Sequence, residues 1–273
     1  MERIGRVKTF QRDGAEKMAI FVTGDIHGDP SRLSTDNFYE QKSFSGNKNE
    51  NVVIILGDFG LVWTRDGESG TEKWWLDWLE NKPFTTVFVD GNHENHVGLA
   101  EYPVKEWNGG KVHVVRPHVL HLMRGEVFTI EGYKFFAFGG ARSHDVQDGI
   151  LDYEDPDWRD KAKELEKCGK RMYRIKGLTW WPEELPTEEE MQHGLETLEK
   201  NGNDVDCIIT HSPSTTDLIL MGHGKYETDI LTEYLDNVKS KIYFTKHLFG
   251  HMHVNHAVNE SDICIYEQVV RIH

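Results

Sequence analysis

The stretch that decides the fold is NVVIILGD, residues 51–58. Its apolar run is dominated by β-branched residues and stops at a Gly-Asp pair, which is the pattern of a buried strand that ends in a turn. Three other stretches follow the same plan, namely MAIFVTGD (18–25), TTVFVDGN (85–92) and VDCIIT (205–210). The first three strands along the chain are far enough apart for crossover helices, as parallel strands require. This pattern predicts an α/β protein.

The segments between these strands carry helix and hairpin patterns. Residues 71–82, TEKWWLDWLENK, have Trp75, Trp78 and Leu79 at helical spacing, which predicts one crossover helix. The middle of the chain has short strand-like pieces whose spacing predicts an antiparallel meander. These pieces are residues 112–115, 119–122, 126–130 and 133–138. We therefore expect mixed sheets together with helices.

Residues 141–186 interrupt this pattern with charged, Trp-containing sequence. We interpret them as an insertion over one end of a single domain that spans residues 1–273, a length that one elaborated two-sheet domain fits. After the insertion, Thr187 and Glu190 form a predicted capping box for a helix that ends near Gly202.

The composition is that of an ordinary globular protein, with 38% hydrophobic and 28% charged residues. The formal net charge of −15 repels polyanions, so bulk binding of nucleic acid is disfavoured. The first residues, MERIGRVKTFQRDGAEK, hold no apolar run long enough for a signal peptide or membrane span, and we expect a cytoplasmic protein. Three widely spaced cysteines, Cys168, Cys207 and Cys264, suit reduced thiols better than disulfides.

Potential metal ligands follow each strong strand at the point where it ends. These are Asp25 with His27, then Asp58, then Asn92 beside His93, and finally His211. The carboxyl ends of strands in open α/β sheets face the ligand crevice, so these side chains are expected to converge. Each motif alone is also explained by an ordinary turn or surface residue. Together they favour a metal site.

The types of these residues fit metal chemistry. The carboxylate of Asp58 has two oxygens, the minimum needed to bridge two ions. His251 and His253, in the sequence FGHMH, lie two residues apart after a Gly, and histidine is a common ligand of zinc, manganese and iron. His93 could transfer a proton near neutral pH.

The ordered motifs GDIHG, GD, GNHE, a later strand-end His and GHMH resemble the calcineurin-like metallophosphoesterase superfamily. The resemblance covers nearly the whole span from Gly24 to His253, except for residues 141–186. It implies a four-layer α/β (α+β) β-sandwich of two mixed sheets flanked by helices. It also implies a metal-dependent phosphoric ester hydrolase in which a metal-bound hydroxide attacks a phosphate ester.

The same resemblance implies which side chains hold the two metal ions. One ion would be bound by Asp25, His27 and His253 and the other by Asn92, His211 and His251, with Asp58 bridging. His93 would donate a proton to the leaving oxygen or stabilise charge on the phosphoryl group. This mixed Asp, His and Asn set suits divalent transition metals (manganese, iron, nickel or zinc) better than magnesium, and manganese is the metal expected in vitro.

One departure from the family concerns the second motif. Phosphoprotein phosphatases and their dinucleotide-tetraphosphatase relatives continue it as GD-x-V-D-R-G, whereas Leu61 and Val62 occupy the Asp and Arg positions here. The missing arginine and the GHxH ending favour a phosphodiesterase over a protein phosphatase. Arg142 is a candidate phosphate contact in place of that arginine, with a solvated loop residue as the alternative.

Two other functions stay open at this stage. One is a phosphomonoesterase that acts on a small metabolite or nucleotide, and the other is a non-catalytic binding scaffold, which the complete ligand set argues against. Trp158, Trp180 and Trp181 could stack on a nucleobase, although burial within the insertion is the stronger expectation. Four further histidines are expected to lie around the site or at the surface: His96, His144, His223 and His256.

Overall fold

The computed structural model describes residues 19–273, so the N-terminal residues considered above for a signal peptide lie outside the described part. The strands in this part are β1 (Ala19–Thr23), β2 (Asn51–Ile55), β3 (Thr85–Phe88), β4 (Val104–Trp107), β5 (Gly110–Arg116), β6 (Val119–Leu122), β7 (Glu126–Ile130), β8 (Tyr133–Phe138), β9 (Gly149–Asp152), β10 (Tyr173–Lys176), β11 (Cys207–Thr210), β12 (Lys246–Phe249), β13 (His256–Ala257), β14 (Asp262–Cys264) and β15 (Val270–Arg271). The α-helices are α1 (Gly70–Glu80), α2 (His96–Ala100), α3 (Trp158–Lys167), α4 (Glu188–Lys200), α5 (Thr215–Gly222) and α6 (Ile230–Lys241).

The strands form two large mixed sheets. The first sheet has seven strands in the order β15-β1-β2-β3-β6-β5-β4, and the second has six in the order β13-β14-β12-β11-β8-β7. The central pairs are parallel, namely β1 with β2 and β2 with β3 in the first sheet, and β8 with β11 and β11 with β12 in the second. A separate two-stranded parallel pair joins β9 to β10.

The two sheets pack face to face through their alternating residues. Ile20 and Val22 of β1 point into one core between the sheets, where they meet residues of the second sheet such as Phe135 and Ile209. Phe21, between them in sequence, belongs to a different core on the outer face of the first sheet. This alternation follows from the two-residue period of a strand.

Helices cover both outer faces. Leu76 and Leu79 of α1 pack on the outer face of the first sheet, and α4 and α6 pack on the second sheet through residues such as Leu198 and Leu235. The helix–sheet–sheet–helix order gives the four layers of the predicted α/β sandwich, which is confirmed.

Two local predictions are wrong in an informative way. The predicted meander is two hairpins in different sheets, because β5 and β6 pair in the first sheet whereas β7 and β8 pair in the second. The chain crosses between the sheets at residues 123–125, a change that the strand spacing does not encode. The connection from β1 to β2 contains three short 3-10 turns within its described residues and no crossover α-helix.

Other local predictions hold. The predicted helix at 71–82 is α1, and its N-terminus is closed by Ser69 and Glu72 in a capping box. The box predicted at Thr187 and Glu190 begins α4. The three cysteines are free, and burial raises the pKa of the Cys264 thiol to about 12, which suits an inert core residue.

A buried ion network ties the helices α5 and α6 to the second sheet. The ammonium of Lys239 lies 2.8 Å from Asp217 Oδ2 and 2.7 Å from Asp262 Oδ1, and the His247 ring lies 3.3 and 3.2 Å from the same oxygens. Asp217, His247 and Asp262 are close enough to hold a metal ion. Lys239 already supplies the cation that these carboxylates need, so we interpret the cluster as structural.

This network predicts a pH-dependent contribution to stability. Burial alone would raise the pKa of the Asp262 carboxyl, but its contacts with His247 and Lys239 outweigh burial and hold the pKa well below its usual value. A carboxyl whose pKa is lowered by folding contributes its full stabilisation at pH values above its unfolded pKa of about 3.9. The contribution begins to shrink below that pH and is lost as the pH falls through the lower pKa of the folded state. We expect Asp262→Asn to lower the free energy of unfolding by about 1.5–3 kcal/mol at pH 7.

Urea denaturation at pH 7 and at pH 3.5 measures this effect. The cost of Asp262→Asn should shrink at the lower pH, whereas Asp66→Asn, at a side chain that is 92% exposed, should cost the same at both. A cost of Asp262→Asn that does not change with pH would contradict the assignment.

Candidate metal centre

The first sheet brings its predicted ligands to one edge. Asp25 and His27 follow β1, Asp58 follows β2, and Asn92 with His93 follow β3. These three strands are parallel neighbours, so their carboxyl ends lie side by side. Asp25, Asp58 and Asn92 are buried there, while His27 is exposed.

The second sheet presents its ligands to the same place. His211 directly follows β11, and His251 and His253 follow the adjacent parallel strand β12. The backbone N–H of His251 donates to Asp25 Oδ1 at 3.1 Å, and so connects the end of β12 to the end of β1. The edge between the two sheets is therefore lined by side chains from both.

One group of potential ligands surrounds Asp25. The His27 and His253 Nε2 atoms are 3.0 Å apart, and His253 Nε2 lies 3.1 Å from Asp25 Oδ2. Asp58 Oδ2 is 3.7 Å from His27 Nε2. One ligand atom from each of these four residues lies within 4.8 Å of the other three, which is close enough for them to share one ion.

A second group also includes Asp58. Its other oxygen, Oδ1, lies 3.2 Å from His211 Nε2, and His251 completes the group within the same 4.8 Å limit. Asp58 thus belongs to both groups, one through each carboxylate oxygen. The histidines of each group are those that the family resemblance assigns to one ion, while Asn92 belongs to neither group and the assignment stays a prediction.

Asn92 has an oxygen free for a ligand. Among residues 19–273, no hydrogen-bond partner is found for the buried Asn92 Oδ1. The Asn92 Nδ2 donates to Ser143 Oγ at 3.3 Å, which fixes which way the amide faces. A buried polar atom without a partner is costly, and a cation would satisfy it.

The charges at the centre also fit bound cations. Burial would lower the pKa of His211, but the Asp58 and Asp25 carboxylates outweigh it and raise the pKa to about 10. His211 Nδ1 lies 2.7 Å from the Leu56 carbonyl oxygen and donates to it, which leaves Nε2 to face Asp58. A metal ion at Nε2 would replace the proton that balances Asp58 in the metal-free protein.

The backbone is strained at four of the predicted ligands. His27, Asp58, His251 and His253 have positive φ angles between 44° and 66°. Such conformations are costly for residues other than glycine, and they persist where the surroundings fix them, often at functional sites.

Glu94, the last residue of GNHE, braces the two loops of the first sheet. Its buried carboxylate accepts hydrogen bonds from the backbone N–H groups of Phe59, at 2.6 Å, and Gly91, at 2.9 Å. Burial, aided by nearby Asp58, raises the pKa of Glu94 to about 8. Its position thus holds the loops that carry Asp58 and Asn92, a role that the sequence motif did not indicate.

His93 lies beside the two groups. Its backbone N–H donates to Asp58 Oδ1 at 2.9 Å, and its ring is stacked against Trp63 with 5.6 Å between the centroids. The Nη2 of Arg174 lies 3.2 Å from His93 Nε2. Burial, together with Arg174, lowers the pKa of His93 in spite of the Asp58 carboxylate.

The predicted insertion contacts this centre through Ser143, which sequence reasoning did not assign, and through His144, which it expected around the site or at the surface. Ser143 holds Asn92 and is itself bound by Glu184 through both its backbone N–H and its hydroxyl, at 2.9 and 2.6 Å. His144 Nε2 lies 2.9 Å from His251 Nε2. One sequence signal could have indicated that Ser143 and His144 lie near the centre, namely their closeness to the Gly139-Gly140 turn after β8.

Other candidates lie further from the centre. Arg142 is half-exposed and pairs with Glu227 at 3.4 Å, so its phosphate contact stays a prediction. Trp181 is buried and packs edge-on against Trp63 at 5.3 Å, while Trp158 and Trp180 are partly buried. His96 is buried 3.7 Å from Asp90, and His223 and His256 are exposed.

The comparison with protein families agrees with the geometry. The model of the calcineurin-like phosphoesterase family matches residues 18–255. The chain therefore belongs to the calcineurin-like phosphoesterases, and it is a metal-dependent phosphoesterase by its family and its ligand groups. None of the curated proteins compared with it matches the chain. Between residues 19 and 273, no helix is both long and apolar enough to cross a membrane.

The glycine of GNHE is required by the close approach of Asp58. A Cβ atom at Gly91 would lie 2.2 Å from Asp58 Oδ1 and 2.4 Å from the Asp58 backbone nitrogen. Gly91→Ala must displace this loop, so we expect a loss of about 1–3 kcal/mol in unfolding free energy together with a loss of bound manganese.

Gly70→Ala is the matched control for this substitution. A Cβ there meets nothing within 4 Å at the start of α1, and alanine should leave stability unchanged or raise it slightly. Thermal unfolding and elemental analysis measure both quantities. Equal stability and metal content in the two variants would show that the approach of Asp58 is not a constraint.

Proposed function

We propose that this chain is a dinuclear metal-dependent phosphodiesterase. The observation that carries the proposal is that Asp58 belongs to two ligand groups, one through each carboxylate oxygen. A carboxylate shared in this way suits two adjacent ions. The proposed ligands are Asp25, His27 and His253 for one ion, and Asn92, His211 and His251 for the other, with Asp58 common to both.

The donor set supports transition metals. Imidazole nitrogens outnumber carboxylates, which suits manganese, iron, nickel or zinc better than magnesium, and we propose manganese as the metal for reconstitution. When bound, two such ions would activate the attacking water and neutralise charge on the phosphoryl group. The orphaned oxygen of Asn92 and the paired His27 and His253 nitrogens support this fit.

The chain's own residues then orient the reaction. Asp58 accepts the backbone N–H of His93, which fixes the His93 ring beside both ligand groups. Trp63 stacks on that ring and Trp181 packs on Trp63, so His93 has little freedom to turn. We propose that His93 Nε2 faces the leaving oxygen and donates a hydrogen bond or proton to it.

Several features support a diester substrate. Leu61 and Val62, at the positions where phosphatase relatives have Asp and Arg, are buried among the apolar residues of the first sheet's outer core. They cannot contact a phosphate. A diester carries less charge than a monoester and needs fewer cationic partners. Substrate recognition then depends on the loops and on the insertion.

A phosphomonoesterase is the second candidate, and Arg174 favours it. This arginine contacts His93 from the insertion and pairs with Asp145. His93 is therefore followed outward by an arginine and a carboxylate, the two residue types that Leu61 and Val62 replace in the second motif. They come from a different part of the chain than in the phosphatase motif. The cytoplasmic location and the weak affinity for bulk nucleic acid stay predictions.

Two model substrates separate these candidates. We expect manganese-loaded protein to hydrolyse bis(p-nitrophenyl) phosphate with a higher kcat/KM than p-nitrophenyl phosphate. Asp58→Asn should lower kcat/KM on both substrates by at least about a hundredfold. Substitution of a residue that only supports a metal ligand already lowers metal affinity or activity by about ten- to a hundredfold, and Asp58 is itself a proposed ligand. Faster cleavage of the monoester would favour the phosphatase.

His93→Ala is the control that isolates chemistry from metal binding. This variant should keep its manganese and lose turnover, since His93 is not among the proposed ligands. Full activity of His93→Ala would refute the role of His93. If the wild-type protein binds two ions but hydrolyses neither ester, the result would instead favour the binding scaffold.

A further inference from the structure

Arg174 of β10 lies inside the insertion but touches the proposed centre. Its Nη2 is 3.2 Å from Nε2 of His93, although the two residues are 81 positions apart in sequence. The Arg174 side chain is 16% exposed, so it is held in place and still open to the site. No motif in the sequence indicated this residue.

The guanidinium is held by its neighbours on the insertion. Its Nε donates to Asp145 Oδ2 at 2.8 Å, and Nη2 is 2.5 Å from the same oxygen. Nη1 makes only a long contact of 3.4 Å to the Thr179 carbonyl oxygen. Asp145 therefore fixes the group, Nη2 directs its second hydrogen at His93, and Nη1 keeps a hydrogen available for a ligand.

The contact with His93 shows which way the available hydrogen faces. An arginine has no acceptor, so Nη2 donates and His93 Nε2 accepts. When Nε2 instead carries the proton that it is proposed to give to the leaving oxygen, it can no longer accept from Arg174, and the Nη2 hydrogen becomes available to a ligand. A phosphoryl group bound between His93 and the ligand groups would come within reach of the same donor.

Other arginines near the centre are committed elsewhere. Arg32 donates to the backbone oxygens of Asp25 and Tyr266, and Arg124 is paired with buried Asp90. Arg142 pairs with Glu227. In the part of the chain that the structure describes, Arg174 is the arginine that contacts His93.

We propose that Arg174 binds a non-bridging phosphoryl oxygen of the substrate, an atom that diesters and monoesters both present. The proposal rests on the phosphoesterase function proposed above. Guanidinium groups bind phosphate oxygens through charge-assisted hydrogen bonds, often two at a time. The insertion thereby supplies part of the active site.

The space beside Arg174 is open to a substrate. Arg174 and Asp145 line a cavity of about 720 Å³ whose other walls include Arg171, Tyr173 and Thr179. The lining holds two arginines, Arg171 and Arg174, and two carboxylates, Asp145 and Glu166, so the phosphate contact is assigned to Arg174 and not to a net positive charge of the cavity. The substrate class that fits is a phosphate ester whose remaining group extends along β10.

Titration of inorganic phosphate into manganese-loaded protein, followed by calorimetry, tests the proposal without relying on turnover. Arg174→Ala should weaken phosphate binding on the order of tenfold to a hundredfold, the cost of a hydrogen bond to a charged group. Arg174→Lys should recover part of the affinity, because it restores the charge without the planar fork. Manganese content should stay at the wild-type value in both variants.

Arg159→Lys is the matched control, because Arg159 also belongs to the insertion but stacks on Trp158. It should bind phosphate like the wild type. Phosphate binding that is unchanged in Arg174→Ala would overturn the assignment of Arg174 alone. Failure of wild-type protein to bind manganese, or to bind phosphate once loaded, would overturn the proposed function and the assignment with it.

Discussion

The rest of the structure depends on one buried carboxylate, that of Asp58. Its two oxygens face His211 at 3.2 Å and His27 at 3.7 Å, and the side chain is almost fully removed from water. A charge buried in this way must be compensated by partners within reach. The two sheets provide them because their parallel strands end at the same edge, β1 and β2 on one side and β11 on the other.

The strand ends that carry the family motifs supply the proposed ligands, while residues 141–186 supply part of the surroundings. Ser143 and Glu184 fix the Asn92 amide, and Arg174 with Asp145 reaches His93. The segment interpreted as an insertion therefore does more than cover one end of the fold. The proposed metal ligands and the proposed substrate contact thus come from different parts of the chain.

Much of this arrangement could be predicted because short stretches of sequence determine it. A strand that ends at Gly-Asp both folds and places its carboxylate, so eight residues predict the position of Asp58 at a strand end, whereas its predicted role as a ligand depends on all the motifs together. Contacts such as Arg174 with His93 were missed because they join residues far apart in sequence and lie outside any motif. The switch between sheets after β6 was missed for a related reason, since hairpin spacing is the same whether the next hairpin pairs in the same sheet or in the other.

Anomalous diffraction from crystals soaked in manganese tests the central claim, a dinuclear centre around Asp58, most directly. The account predicts two manganese peaks on either side of Asp58, about 3.5–4 Å apart, as in two-metal sites. One peak should lie among Asp25, His27 and His253, and the other beside His211. A single peak, or manganese bound instead by Asp217, His247 and Asp262, would contradict it.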